Sequence, residues 1–244
     1  MKQKYILVTG ASRGIGRSIA LRFAEEGYHV FLNCSRSLRE LRQVQEEILA
    51  MEGGGCTPVP GDVGDPGQVR RIFQQIRSVC PCLDVLVNNA GVSHIGLLID
   101  MTDEEWSRLL ASNLSSAFYC SREALRDMVS AKAGSILNIS SMWGTAGASC
   151  EAAYSAAKAG MHGLTRALAK EYAPSRIAVN AIACGVIDTE MNRCLSPEDR
   201  SCLAEDIPAG RFGTPREVAD LAWNLVNSPG YMTGQIIGID GGFL

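Results

Sequence analysis

Tyr154-Ser-Ala-Ala-Lys158 sets a phenol and an ammonium four residues apart in a stretch, Ala152 to Tyr172, that reads as helix. At that spacing the two side chains share one helical face. A phenol with an ordinary pKa of about 10 is a poor proton donor or base near neutrality. A neighbouring cation favours the phenolate; each unit of depression corresponds to about 1.4 kcal/mol, and about two units would serve acid/base work. The pair alone also describes a plain helix side, so its meaning depends on the rest of the chain.

A second feature is Thr9-Gly-Ala-Ser-Arg-Gly-Ile-Gly16, directly after the apolar run Tyr5 to Val8. Glycines at a strand-to-helix turn let backbone N–H groups approach a phosphate, as dinucleotide sites require. Gly10 permits the turn, Gly14 the approach to a pyrophosphate, and Gly16 close packing of the new helix; Ser12, Arg13 and Ile15 complete the loop. Sites selective for NAD place an acid at the end of the second strand to bind the ribose hydroxyls. Here that stretch is Asn33-Cys-Ser-Arg-Ser37, with no acid before Glu40. Ser35 and Arg36, with Arg13 nearby, suit a 2′-phosphate, which predicts NADP(H) over NAD(H). Asp62-Val63 and Asn88-Asn89-Ala90-Gly91 fall where later strands end. Each is placed to bound the cofactor, and each also fits an ordinary Asx turn.

These groups need elements that bring them to one edge. Short apolar runs at Tyr5 to Val8, His29 to Leu32, Val85 to Val87, Ser135 to Ile139, Ile177 to Ile182 and Ile236 to Ile239 alternate with longer helical patterns. The alternation predicts an α/β fold with a parallel sheet, and the nearly continuous apolar runs predict helices on both faces, a doubly wound arrangement. Helical patterns occupy Ile15 to Glu26, Leu38 to Met51 and Val69 to Val79, while Glu105 to Ala131 fits one long helix or two joined ones. Pro197 and Pro215 mark two late helix starts. No repeat or linker interrupts residues 1–244, which predicts one domain.

Composition narrows the classes. With 46% hydrophobic and 20% charged residues and a net charge of −3, the chain reads as soluble and globular, with no general electrostatic reason to bind nucleic acid. No apolar run reaches the ~20 residues of a membrane helix. Met1 to Val8 leads straight into a strand, unlike a signal peptide. Nine cysteines, at 34, 56, 80, 82, 120, 150, 184, 194 and 202, show no CxxC pairing. They predict reduced thiols in a cytoplasm, with neither a disulfide framework nor zinc. His29, His94 and His162 lack metal-motif spacing, so no metal site is predicted.

Thr9 to Gly16, Asn88 to Gly91, Asn113, Ser141 and Tyr154 to Lys158 together resemble the short-chain dehydrogenase/reductase family in order and spacing. The likeness extends through Cys184 to Thr189, Gly210 to Pro215 and Thr233 to Leu244, and within the family it is greatest to 3-oxoacyl-acyl-carrier-protein reductases. The resemblance implies a seven-stranded Rossmann sheet and a catalytic tetrad of Asn113, Ser141, Tyr154 and Lys158. Ser141 would polarise a substrate carbonyl and Tyr154 would donate a proton as hydride reaches carbon. Lys158 would lower the tyrosine pKa and hold the nicotinamide ribose, and Asn113 would support a water linking the lysine to solvent. Ile187 and Thr189 would line the nicotinamide end. A homotetramer is also implied.

The leading expectation is NADPH-dependent reduction of a 3-oxoacyl thioester on acyl carrier protein, an acidic partner for which Arg122, Arg126, Lys132 and Arg166 are candidate contacts. Ser140 to Gly144 with Gly147 to Glu151 resembles instead a subset of reductases associated with a 5-aminopentanone modification on elongation factor P, where Glu151 would meet an amine. Steroid, sugar or polyol ketones also fit, as does a non-catalytic NADPH sensor, against which the intact Tyr154 and Lys158 argue. The family's usual Pro-Gly after the sixth strand is Cys184-Gly185 here, which removes a rigid element and brings a thiol toward the nicotinamide pocket. Residues 196–207 suit a lid helix or a fixed surface helix equally.

Overall fold

A computed structural model describes residues 3–192 and 195–244. Cys194 lies outside the described residues. The elements run β1 (Tyr5–Val8), α1 (Gly14–Glu25), β2 (His29–Leu32), α2 (Leu38–Leu49), β3 (Gly55–Pro58), α3 (Pro66–Val79), β4 (Val85–Asn88), α4 (Asp103–Leu110), α5 (Ser116–Ala131), β5 (Gly134–Ser141), α6 (Trp143–Ala146), α7 (Ala152–Tyr172), β6 (Ile177–Cys184), α8 (Pro197–Asp206), α9 (Pro215–Val226) and β7 (Ile236–Ile239).

The strands form one parallel sheet in the order β3-β2-β1-β4-β5-β6-β7. Along β1, Ile6 and Val8 enter one core with Ile19, Phe23, Val44 and Val218, while Leu7 enters the other with Phe73, Leu125 and Met128. Alternate residues of a strand point to opposite faces, so α1, α2 and α9 cover one face and α3 and α5 the other. The chain winds outward from β1 through β2 to β3, then returns to place β4 on β1's other side. That reversal opens a crevice between the carboxyl ends of β1 and β4, where open α/β sheets bind ligands.

Two stretches left open by the sequence are resolved. β3 consists of Gly55, Cys56, Thr57 and Pro58 and lacks the aliphatic run that marks the other six strands. It pairs with β2 at the sheet edge, where a proline is tolerated. The Glu105 to Ala131 stretch is two α-helices joined by a π-helical turn, Ala111–Ser115. Side-chain caps mark the starts of α3, α4, α8 and α9: Asp65 accepts from Gly67 and Gln68 before Pro66, and Thr102, Ser196 and Thr214 each form a capping box. No buried residue lies within α8, but Ile207 just beyond it is buried and Arg200 pairs with Asp188 at 3.0 Å.

Candidate active site

The carboxyl end of β5 meets α7 side chain by side chain. Ser141 is the last residue of β5; its hydroxyl stands beside the Tyr154 phenol and accepts from Trp143 N at 3.2 Å. Lys158, one turn further along α7, is buried and donates from Nζ to the Ile139 carbonyl at 2.8 Å. Its Nζ lies 5.5 Å from the Tyr154 ring centroid. Helical spacing thus brings the phenol and ammonium together as the sequence predicts.

Their titration departs from the sequence expectation. Desolvation pushes the Tyr154 phenol above its ordinary value, with Cys184 and Glu151 adding to the rise and the Ser141 hydroxyl opposing it. Burial lowers Lys158 from 10.5 to about 8, with Cys184 opposing. The expected depression of the tyrosine by the lysine is therefore not found. The ammonium is committed to the Ile139 carbonyl, and loss of hydration outweighs what remains of its field at the phenol.

Asn113 sits in the π turn and is wholly buried. Its Nδ2 donates to the carbonyls of Val92 and Leu109 at 2.9 and 3.0 Å, and its Oδ1 accepts from Val92 N at 3.1 Å. The side chain is thereby occupied in clamping the segment after β4 to α4. The turn also shifts the helical register, with Ser116 N donating to Ala111 O, an arrangement frequent at functional sites.

The glycine turn closes the crevice from the other side. Gly10 and Gly14 adopt φ of +66° and +54°, the left-handed region that glycine enters without strain. A Cβ on Gly16 would strike the Gly10 carbonyl and the Asn89 amide, so only glycine lets α1 begin here. Thr9, to which the sequence reading gave no role, accepts at Oγ1 from the backbone N–H groups of Asn89 and Ala90 at 2.9 and 3.0 Å. Asn89 Nδ2 returns bonds to the carbonyls of Thr9 and Gly10 at 2.9 and 3.2 Å. Gly91 follows Ala90 beneath the Asn113 clamp, where an added Cβ would meet Asn113 Oδ1. Two sequence-distant loops become one surface, a link that spacing alone does not reveal.

A dinucleotide fits this surface. The N-cap of α1, Arg13, makes no side-chain hydrogen bond to the first turn, which leaves the first-turn N–H groups to a phosphate. Thr189 lies over the turn, its methyl 3.3 Å from where a Cβ on Gly14 would stand, and the preceding Ile187 is buried and bridged to Gly213. Ser12 and Val63 are buried at the rim and Ile15 is half-buried. Asp62 is exposed and accepts from Gly64 N at 2.8 Å, the Asx turn that its spacing allowed. At the end of β2, Ser35 and Arg36 are exposed, and Arg36 forms no ion pair among the described residues. Arg13 is less free: it donates to Ser37 Oγ at 2.5 Å and pairs with Glu190 at 2.7 Å. Asn33, another residue without an assigned role, braces this corner by donating to the carbonyls of Val59 and Gly61.

Three residues border the Tyr154 side. Cys184 ends β6 opposite Ser141 in register, and burial pushes its thiol to about 12, so it is an inert neighbour. Glu151 precedes α7, is half-buried and has its carboxyl raised by desolvation. Trp143 packs edge-on against Phe243 of the carboxyl-terminal segment, with ring centroids 5.8 Å apart. The described residues hold no cluster of metal-binding side chains. No helix among them is long and apolar enough to cross a membrane.

Known proteins share this arrangement. Residues 4–200 match the short chain dehydrogenase family. The 3-oxoacyl-[acyl-carrier-protein] reductase FabG of Staphylococcus aureus (strain Mu50 / ATCC 700699) is 41% identical over 240 residues, covering 98% of this chain and 97% of the relative. A crystal structure of a putative gluconate dehydrogenase from Agrobacterium tumefaciens superposes with a TM-score of 0.93 at 34% identity, over 98% of this chain and 95% of that one. YwfH, described as an NADPH dependent reductase involved in bacilysin biosynthesis, superposes with a TM-score of 0.94 at 28% identity, over 100% and 99%. With the sheet order, the glycine turn and the Ser141, Tyr154 and Lys158 corner in the same chain, these likenesses place it in the short-chain dehydrogenase/reductase family of oxidoreductases.

Proposed function

We propose that this protein is an NADPH-dependent ketoreductase whose substrate is a 3-oxoacyl thioester on acyl carrier protein, acting as a cytoplasmic homotetramer. The observation that carries the reading is the grouping of Ser141, Tyr154 and the buried Lys158 at the sheet edge that also bears the glycine turn. Bound NADPH supplies the hydride. The Ser141 hydroxyl orients and polarises the carbonyl oxygen, and Tyr154 protonates it as charge develops. Desolvation holds the phenol above its ordinary value, so the proton is in place at neutral pH, and the Ser141 hydroxyl and the positive charge of Lys158 favour its transfer as the oxyanion forms. Lys158 holds positive charge at the base of the site and hydrogen-bonds the ribose. Gly10 to Gly16 hold the pyrophosphate, Arg36 and Ser35 the 2′-phosphate, Asp62, Val63 and Asn89 to Gly91 the adenosine side, and Ile187 and Thr189 the nicotinamide end. Relatives named as 3-oxoacyl-acyl-carrier-protein reductases support the thioester. Of the four basic candidates for a carrier contact, Arg126 is paired with Glu123 at 3.1 Å and Arg122 stacks on Phe118 at 4.9 Å, leaving Lys132 and Arg166.

One observation favours a second substrate, the 5-aminopentanone group on elongation factor P. Glu151 is a half-buried carboxylate near Tyr154 with no hydrogen-bond or ion-pair partner among the described residues, an environment that an incoming ammonium would relieve. Turnover of acetoacetyl and longer oxoacyl thioesters, compared with turnover of the modified factor, each with NADPH and NADH, separates the readings. Reduction of thioesters alone upholds the first, and reduction of the factor alone, lost in Glu151→Gln, upholds the second. NADPH binding without reduction of any ketone would make the protein a sensor.

A further inference from the structure

Three consecutive residues of β5 each hold a different turn of α7. Ser141 stands beside Tyr154, the Ile139 carbonyl accepts from Lys158, and between them Ser140 Oγ lies 2.8 Å from His162 Nε2. Residues 154, 158 and 162 are spaced by four and form one stripe on the helix. We infer that His162 is a positioning residue: with Ser140 it forms the third rung of a ladder that sets the height of α7 against the end of β5, and through it the placement of Lys158 and Tyr154.

The local geometry makes this rung specific. His162 and Ser140 are both buried, so each needs its polar partner. Ser140 Oγ also reaches the Lys158 carbonyl at 3.4 Å. The arrangement that satisfies both contacts has the neutral ring donating from Nε2–H to Ser140, whose own proton points at Lys158 O. Burial keeps the ring neutral by lowering its pKa, and the charges of Arg166 and Lys158, both on α7, act in the same direction. β5 presents Ser140 and α6 presents Gly144 to the ring, neither of them titratable. A Cβ on Gly144 would lie 2.8 Å from His162 Cε1 and 2.8 Å from the Lys158 carbonyl carbon, so α6 caps the rung without slack. An apolar replacement of the ring would leave Ser140 Oγ with only the long contact to the Lys158 carbonyl, one residue from Ser141 and one residue from the acceptor of Lys158.

The inference rests on the proposed ketone reduction for its kinetic readout and is independent of it for the other. His162→Leu and Ser140→Ala are each expected to lower kcat about tenfold with the Kd of NADPH within twofold of wild type, to move the pH limb of kcat, and to show no further loss when combined. His162→Gln, which keeps a donor at that reach, is expected to restore both rate and pH limb. The Lys158 titration, followed by NMR of 13Cε-labelled lysine, should move in His162→Leu and return in His162→Gln whether or not a ketone is reduced. If His162→Leu does not fold, Ser140→Ala and His162→Gln decide the matter. Wild-type kcat, pH limb and Lys158 titration in Ser140→Ala or in folded His162→Leu would overturn the role, as would a lowered Tm with none of these changed. A wild type inactive on every ketone, with the lysine titration still moving, would count against the reaction and leave the ladder standing.

Discussion

Tyr154 has to protonate an oxygen as charge develops there, and desolvation makes it a weaker acid against the opposing effect of the Ser141 hydroxyl. Tyr154→Phe is expected to lower kcat by about 10²–10⁴-fold while NADPH still binds, as measured by steady-state turnover and fluorescence titration. Lys158 carries the opposite burden. Lowering from 10.5 to about 8 means the folded state binds fewer protons than the unfolded state between those values. The charged lysine therefore weakens folding fully below about pH 8, and the penalty is relieved as pH rises toward 10.5. Lys158→Met should be more stable than wild type at pH 7 by about 1–3 kcal/mol, after allowance for the unpaired Ile139 carbonyl, and the advantage should shrink by about pH 10 in denaturant unfolding. At the other end of the crevice, Arg36 is exposed with no acid paired to it among the described residues. Arg36→Asp should shift the kcat/KM preference from NADPH toward NADH by at least about tenfold; an unchanged ratio would show that the 2′-phosphate is held elsewhere.

Elements were legible from the sequence where one interaction dominates. Apolar runs marked six strands, and Pro197 and Pro215 stand at the first turns of α8 and α9. β3 was not marked, because an edge strand next to β2 needs backbone pairing more than side-chain burial. The π turn was equally hidden: Ala111 to Ser115 has ordinary helix composition, and its register is set by the Asn113 clamp to Val92, 21 residues away. The start of α1 depends on Gly16 lying against the Gly10 carbonyl and the Asn89 amide. Gly16→Ala should therefore weaken NADPH binding by at least about tenfold and lower the Tm, read by calorimetry with and without cofactor, because the added methyl forces apart the two loops that form the phosphate site.

At the scale of the molecule, the outer face of α5 is unfinished. Phe118 is 43% exposed and Val129 38% exposed, eleven residues apart on one helical face, with Arg122 stacked between them on the Phe118 ring. Helices that leave large apolar side chains in water often mark a contact between subunits. The wild type is expected to sediment at about four times the 26.2 kDa chain mass, and Phe118→Glu to sediment as a smaller species. A wild-type monomer would remove the tetramer from the proposal.

The sequence by itself determined the alternating α/β order, the glycine turn and the helical meeting of Tyr154 with Lys158, because each follows from periodicity or backbone freedom over a few residues. Only the tertiary structure decided how those groups are poised. Burial moves the tyrosine up and the lysine down, Ile139 takes the ammonium, Asn113 spends its amide on Val92, and Ser140 engages His162. Desolvation and long-range hydrogen bonds depend on what surrounds a group in space, and separation along the chain does not record it.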